Sequence, residues 1–134
     1  MNKKIEIYVE NVSKRFKKIT ALDDVSMQFE NGNLYGVIGP AGAGKTTLFR
    51  IMLDLMRANS GQIVYRENGN DIGYKQIQEH IAYMPQSQSL YADLSVSEHL
   101  DFFRKLYGIS DTDYEKKKQE LIHLARLGEF LDRP

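Results

Sequence analysis

The sequence predicts an α/β fold, and three observations carry that expectation. Near the N-terminus Ile5, Ile7 and Val9 alternate with charged or polar residues, the period-two pattern of a strand with one buried face. Leu34 to Ile38 is a nearly uninterrupted apolar run ending at a glycine, as expected of a strand buried on both faces. After a glycine-rich stretch, Leu48, Ile51, Met52 and Leu55 recur at the three-and-four spacing of an amphipathic helix.

The other elements follow in order. The basic stretch Lys14 to Lys18 is succeeded by a second alternation, Val25, Met27 and Phe29, and Asn31-Gly32-Asn33 predicts a hairpin turn leading into the Leu34–Ile38 strand. Beyond Ser60-Gly61 the pattern predicts a strand from Gln62 to Arg66, a turn at Asn68-Gly69-Asn70, a short helix near Lys75 to Glu79, and a strand from Ile81 to Met84 stopped by Pro85. Gln86 then sits just past a strand end. Ser95-Val96-Ser97-Glu98 is a capping box opening a helix to about Tyr107, with Gly108 as its stop. Thr112 and Glu115 repeat that spacing and open a last helix to about Leu127, with Leu121, Leu124 and Ala125 on one face and Gly128 as its end.

Composition narrows the function. The 134 residues, 42% of them hydrophobic, fit one small globular domain, and 18 Lys plus Arg balance 18 Asp plus Glu. A neutral chain has no bulk attraction for nucleic acid or an anionic membrane, and the Glu115 to Lys118 run reads as a solvated helix face, so no nucleic-acid partner is expected. The absence of cysteine excludes disulfides and thiol chemistry and fits a reducing compartment. No apolar stretch reaches the roughly 18 to 20 residues that span a bilayer, so any membrane role comes through a partner. His80, His99 and His123 are too scattered for a metal motif.

The chemistry lies in Gly39-Pro40-Ala41-Gly42-Ala43-Gly44-Lys45-Thr46, a complete G-x-x-x-x-G-K-[ST] loop between a predicted buried strand and a predicted helix. Gly39, Gly42, Ala43 and Gly44 let successive amides turn inward as a nest for phosphate oxygens, and the following helix adds its free amides and positive dipole end. Lys45 supplies a charge to the β and γ phosphates, and Thr47 a hydroxyl to the α phosphate. The Thr46 hydroxyl is placed to ligate Mg2+, which prefers hard oxygen ligands.

Over nearly its whole length the chain resembles the ATP-binding subunit of ATP-binding cassette (ABC) transporters. The residues that carry the likeness are the loop with Thr47, Val12-Ser13-Lys14-Arg15-Phe16 with Ala21-Leu22-Asp23-Asp24-Val25-Ser26, and Ile81 to Gln86 followed by Leu90 to Glu98. Ala41 stands where an asparagine or serine is commoner in the family. The resemblance implies a P-loop NTPase of ABC type, with N-terminal antiparallel strands, a parallel core sheet with helices, and the start of a helical subdomain. It implies residues 1–94 as nucleotide-binding core and 95–134 as the first part of that subdomain. Phe16 is then the aromatic residue that stacks on adenine, and Gln86 the glutamine that reaches Mg2+ and the attacking water. A neutral amide orients and senses better than it acts as a base.

The resemblance also implies ATP and Mg2+ as ligands, a permease contacted through the Gln86 to Ser95 loop, a second ATP-binding subunit in a head-to-tail dimer, and a cytoplasmic place at the inner face of the membrane. Ser89 to Gly108, with Phe102-Phe103, is closer to exporters than to nutrient importers. The family's Leu-Ser-Gly-Gly-Gln signature, its Asp-Glu strand and its switch histidine have no counterpart here, so the chain is expected to bind MgATP without hydrolysing it alone. The alternative is a non-hydrolytic nucleotide-binding regulatory module. A small phosphotransferase would need a second substrate pocket and a lid, neither of which is visible in the sequence.

Overall fold

The computed structural model describes residues 3–87 and 90–133, and the chain forms two compact units, Met1–Ala82 and Tyr83–Pro134. In the first, β1 (Ile5–Phe16), β2 (Ile19–Glu30), β3 (Ser60–Glu67) and β4 (Asn70–Ile72) make an antiparallel sheet in the order β2-β1-β3-β4. Helix α1 (Lys45–Met52) packs on one face of this sheet, and α2 (Tyr74–Ile77) continues into a 3-10 turn at Gln78–His80.

The N-terminal alternation forms as expected, but β1 runs on through the basic stretch and turns back at Lys17–Lys18, with Phe16 opposite Ile19. Period two alone would place Val9 and Val12 on opposite faces, yet both are buried beneath α1 with Leu22, Leu48, Ile51 and Met52. A bulge at Asn11, where φ is 50°, shifts the phase by one residue. Side chains hold it: the Asn11 amide donates to Asp24 Oδ1 at 2.9 Å, and the backbone N–H of Asp24 to Ser13 Oγ at 2.9 Å. The shift carries Val12 onto the α1 side of the sheet.

Helix α1 ends at Met52, three residues before the expected Leu55. Asp54 adopts φ 52°, while the N–H of Leu55 bonds the carbonyl of Arg50 at 2.9 Å and that of Asp54 the carbonyl of Ile51 at 3.1 Å. This is the Schellman ending, with an aspartate in the place glycine usually takes. The Asn68–Gly69 turn closes β3 onto β4 with φ of 52° and 82°, as a two-residue hairpin requires.

The expected parallel core sheet needs correction. Leu34–Ile38 and Ile81–Met84 form no strand among the described residues, and Leu34, Ile38 and Met84 are 101%, 98% and 92% exposed. A run apolar on both faces becomes a strand only with neighbours along its edges and layers over its faces; none of the described strands pairs with either run. The hairpin predicted at Asn31-Gly32-Asn33 fails for the same reason. A turn does form, but Asn31 reaches back to the start of β1, its Oδ1 accepting from the N–H of Ile5 at 3.2 Å and its amide donating to the Lys3 carbonyl just before the strand at 2.8 Å.

The second unit pairs α3 (Val96–Leu106) with α4 (Asp111–Ala125) and ends in a 3-10 turn at Gly128–Phe130. The capping box at Ser95 forms as read: the N–H of Ser95 donates to the Glu98 carboxylate at 2.8 Å and that of Glu98 to Ser95 Oγ at 3.3 Å. Helix α4 begins earlier than Thr112 predicts, because Ser110 and Asp113 offer the same spacing and Ser110 Oγ accepts from the Asp113 N–H at 3.2 Å. It ends at Arg126, with φ 53°, not at Gly128. Tyr114 is buried between these helices, bonded to Asp101 and covered by the Arg104 guanidinium at 5.0 Å.

Candidate nucleotide site

The glycine-rich loop leads directly into α1. Gly44 is the residue before the helix and has φ 89°; Gly42 has φ 81°. Left-handed glycines spaced through a loop turn its amides toward one side. Within the loop the N–H of Ala43 donates to the Pro40 carbonyl at 3.2 Å.

Two features make the start of α1 receptive to an anion. No side chain caps it, and its first turn contains no acidic residue, whereas α3 and α4 both carry a serine cap and acids there. The amides of Lys45, Thr46 and Thr47 therefore have no side-chain acceptor, at the positive end of the helix dipole. The Lys45 ammonium arches over the loop and donates to the carbonyls of Gly39 at 2.5 Å and Pro40 at 2.7 Å. Thr46 is exposed and Thr47 half-buried. Amides and an ammonium suit anionic oxygens, and a neutral hydroxyl suits a hard cation, so the donor set fits a magnesium-bound phosphate chain.

The sheet fixes where this loop sits. A Cβ on Gly44 would come within 2.2 Å of the Ala21 carbonyl oxygen and 3.0 Å of Leu22 Cδ2, so the loop's last glycine lies against β2. Ala21 is two positions from Ile19, the partner of Phe16, which at the usual rise of a strand is about 7 Å. Phe16, 43% exposed at the hairpin end, is thus brought beside the phosphate loop within the same unit.

Gln86 is an exposed bend residue of the second unit. Of the Gln86 to Ser95 stretch expected to meet a permease, Gln88 and Ser89 lie outside the described residues. At its far end, Tyr91 is held to α3: its N–H donates to His99 Nε2 at 2.9 Å, while His99 Nδ1 lies 3.0 Å from the Ser95 carbonyl. Sequence reading missed this role of His99, as well as two bonds from the end of β1 to the segment after α1, Lys14 Nζ to the Arg57 carbonyl and the Arg15 N–H to Asn59 Oδ1. A lone histidine gives no signal that it bonds a loop eight residues back, and a lone asparagine none of a partner 44 residues away.

A family model described as ABC transporter matches residues 22–134. The chain belongs to the ABC transporter family. Among its curated relatives, the "Probable sulfate/thiosulfate import ATP-binding protein CysA" of Chlorella vulgaris is 36% identical over 129 residues, covering 96% of this chain and 54% of the relative. The "Fe(3+) ions import ATP-binding protein FbpC" of Escherichia coli O157:H7 is 30% identical over 134 residues, covering 99% of this chain and 38% of the relative. A solved ATP-binding subunit of an ABC transporter superposes with a TM-score of 0.74 at 29% identity, over 94% of this chain and 52% of that one. The chain thus spans about half the length of that structure or less of its relatives, and within that span it has the α/β fold of an ABC ATPase. Both curated relatives are named as import proteins, so the exporter likeness expected from Ser89 to Gly108 finds no support in this ABC chain's comparisons. No helix among the described residues is long and apolar enough to cross a membrane.

Proposed function

We propose that this chain binds MgATP as the nucleotide-binding part of an ABC-type ATPase serving an import transporter. The observation that carries the reading is the uncapped start of α1 at Gly44, roofed by the Lys45 ammonium and set beside Phe16. In this reading the amides of Gly39, Gly42, Ala43 and Gly44, with those of Lys45, Thr46 and Thr47, hold the phosphate chain. Lys45 leaves the Gly39 and Pro40 carbonyls for the β and γ phosphates, and Thr46 Oγ1 would hold Mg2+. Bound magnesium neutralises the terminal phosphates and templates their geometry. Phe16 stacks on the adenine, which gives affinity with little base selectivity.

Residues 1–94 form the nucleotide-binding part and 95–134 begin a partner-facing helical part, with Gln86 to Ser95 meeting a permease at the cytoplasmic face of the membrane. The whole subunit pairs head to tail with a second copy, each closing the other's site. Hydrolysis needs a carboxylate that polarises the attacking water and charge opposite the γ phosphate, and in this reading the chain's residues supply neither, so it binds without turnover.

The test is calorimetric titration of MgATP into the chain and its Lys45→Ala variant. Saturable binding lost or weakened at least tenfold by the substitution supports the reading, and equal affinities overturn it. The regulatory-module alternative predicts the same binding. It is separated by the coding sequence after Pro134: a signature motif favours the ATPase, a stop codon the module.

A further inference from the structure

We propose that Lys14 is a positioning residue for the base, fixing the Phe16 ring so that one face is left for adenine; this rests on the nucleotide site proposed above. The Lys14 ammonium lies 5.3 Å from the centre of the Phe16 ring and donates to the carbonyl of Arg57 at 2.6 Å. Arg57 follows α1 on the way to β3, so the contact ties the hairpin end to the element that opens with the phosphate loop. Two more bonds run alongside: the N–H of Arg15 to Asn59 Oδ1 at 2.7 Å, and the N–H of Asn59 to the Ser13 carbonyl at 2.8 Å.

Phe16 is the last residue of β1, beside a two-residue turn, where a ring with no neighbour would turn freely about its side-chain bonds. The ammonium removes that freedom. Its anchor is a backbone carbonyl, and among the described residues no carboxylate pairs with it, so the charge remains available to the ring. A cation on one face draws ring electron density toward itself and leaves the opposite face for a flat, electron-rich heterocycle. Lys14 pairs across the hairpin with Leu22, which is buried with Val12 beneath α1, and so lies on this side of the sheet. Lys14 thereby acts on the base and not on the phosphates.

The experiment compares MgATP with magnesium tripolyphosphate, a phosphate chain without a base, by calorimetry on the full chain. Lys14→Met keeps the apolar stem and should weaken MgATP by about threefold to fivefold, the size of an exposed cation–ring contact, while leaving tripolyphosphate unchanged. Lys14→Arg should restore MgATP affinity, and Lys14→Met added to Phe16→Ala should cost nothing further. Equal losses for both ligands would mean that Lys14 supports the loop generally, and an unchanged MgATP affinity that it does not act; either overturns the proposal. Phe16→Ala tells the two readings apart. If it weakens MgATP and Lys14→Met does not, only the role of Lys14 fails. If neither substitution matters, or the wild type binds neither ligand, the adenine site fails and the role of Lys14 with it.

Discussion

The phenol of Tyr65 donates to the carbonyl of Met52 at 2.7 Å, joining the middle of β3 to the last residue of α1. That carbonyl is one of those a helix end leaves without an intrahelical partner, and it points into a buried region where water cannot replace the bond. Tyr65→Phe should cost about 1 to 2 kcal/mol in urea unfolding. Burial, with Asp54 and Tyr74 nearby, pushes the phenol from its ordinary value of 10.0 up to about 12. The unfolded chain releases this proton near the ordinary value while the folded chain keeps it, so the tyrosine's contribution is complete below pH 10 and is lost as pH rises toward 12. The stability gap between wild type and Tyr65→Phe should therefore narrow over that interval.

Glycine is required at two loop positions for different reasons, and alanine tells them apart. At Gly42 an added Cβ meets nothing within 4 Å, so Gly42→Ala bears only the left-handed backbone cost, about 1 to 2 kcal/mol. At Gly44 the same cost is joined by a collision with the Ala21 carbonyl, 2.2 Å away, which belongs to backbone and cannot swing aside. Gly44→Ala should lose more than about 2 kcal/mol and should displace α1, read as altered amide shifts for Ala21 and Leu22. Equal effects at the two positions would contradict this packing.

The cap of α3 gives a prediction at low pH. The backbone N–H and the hydroxyl of Ser95 hold the Glu98 carboxyl below its ordinary range. A lowered carboxyl contributes above its unfolded value, and the contribution disappears as pH falls through the folded one. Hydrogen exchange at the Ser95 amide should accelerate relative to α4 as the solution is acidified below pH 4.5. In Glu98→Gln the acceptor remains but does not titrate, and this acid step should vanish. Ser95→Ala should cost about 1 kcal/mol at neutral pH.

The unpaired apolar runs bear on solution behaviour. Leu34, Ile38 and Met84 are almost fully exposed, and backbone without strand partners beside apolar side chains promotes association. Light scattering should show concentration-dependent self-association, and unfolding without nucleotide should be broad. MgATP at a hundredfold excess over its dissociation constant should raise stability by about 2.7 kcal/mol, and Lys45→Ala should abolish the increase. A sharp transition from a nucleotide-free monomer would refute this.

The parts of the molecule that were legible in the sequence depend on residues close together in the chain. The phosphate loop could be read because its glycines, lysine and threonine act through one short backbone path, and the Ser95 capping box because its bonds span three residues. The ends of α1 and α4 were misplaced because Asp54 and Arg126 take the left-handed conformation usually left to glycine. The bulge escaped notice because Asn11 and Asp24 mark it only through each other. Leu34–Ile38 was read as a strand from its composition, but a strand also needs an edge to pair with, and no composition states where that edge is.

Helix α1 is held firmly from behind by the core and Tyr65, while the segment that enters the loop, Leu34–Ile38, pairs with no strand among the described residues and meets β2 through the Tyr35 side chain, whose hydroxyl accepts from the N–H of Glu30 at 3.0 Å. The nucleotide cradle is thus anchored at its exit by packed core and at its entrance by one side chain, without a strand ladder. Where a binding shape is populated only part of the time, the measured dissociation constant is the intrinsic one divided by that fraction. A strand that docked along Leu34–Ile38 would raise the fraction and tighten nucleotide without touching it. By thermodynamic reciprocity, nucleotide would tighten the docking of that strand by the same factor.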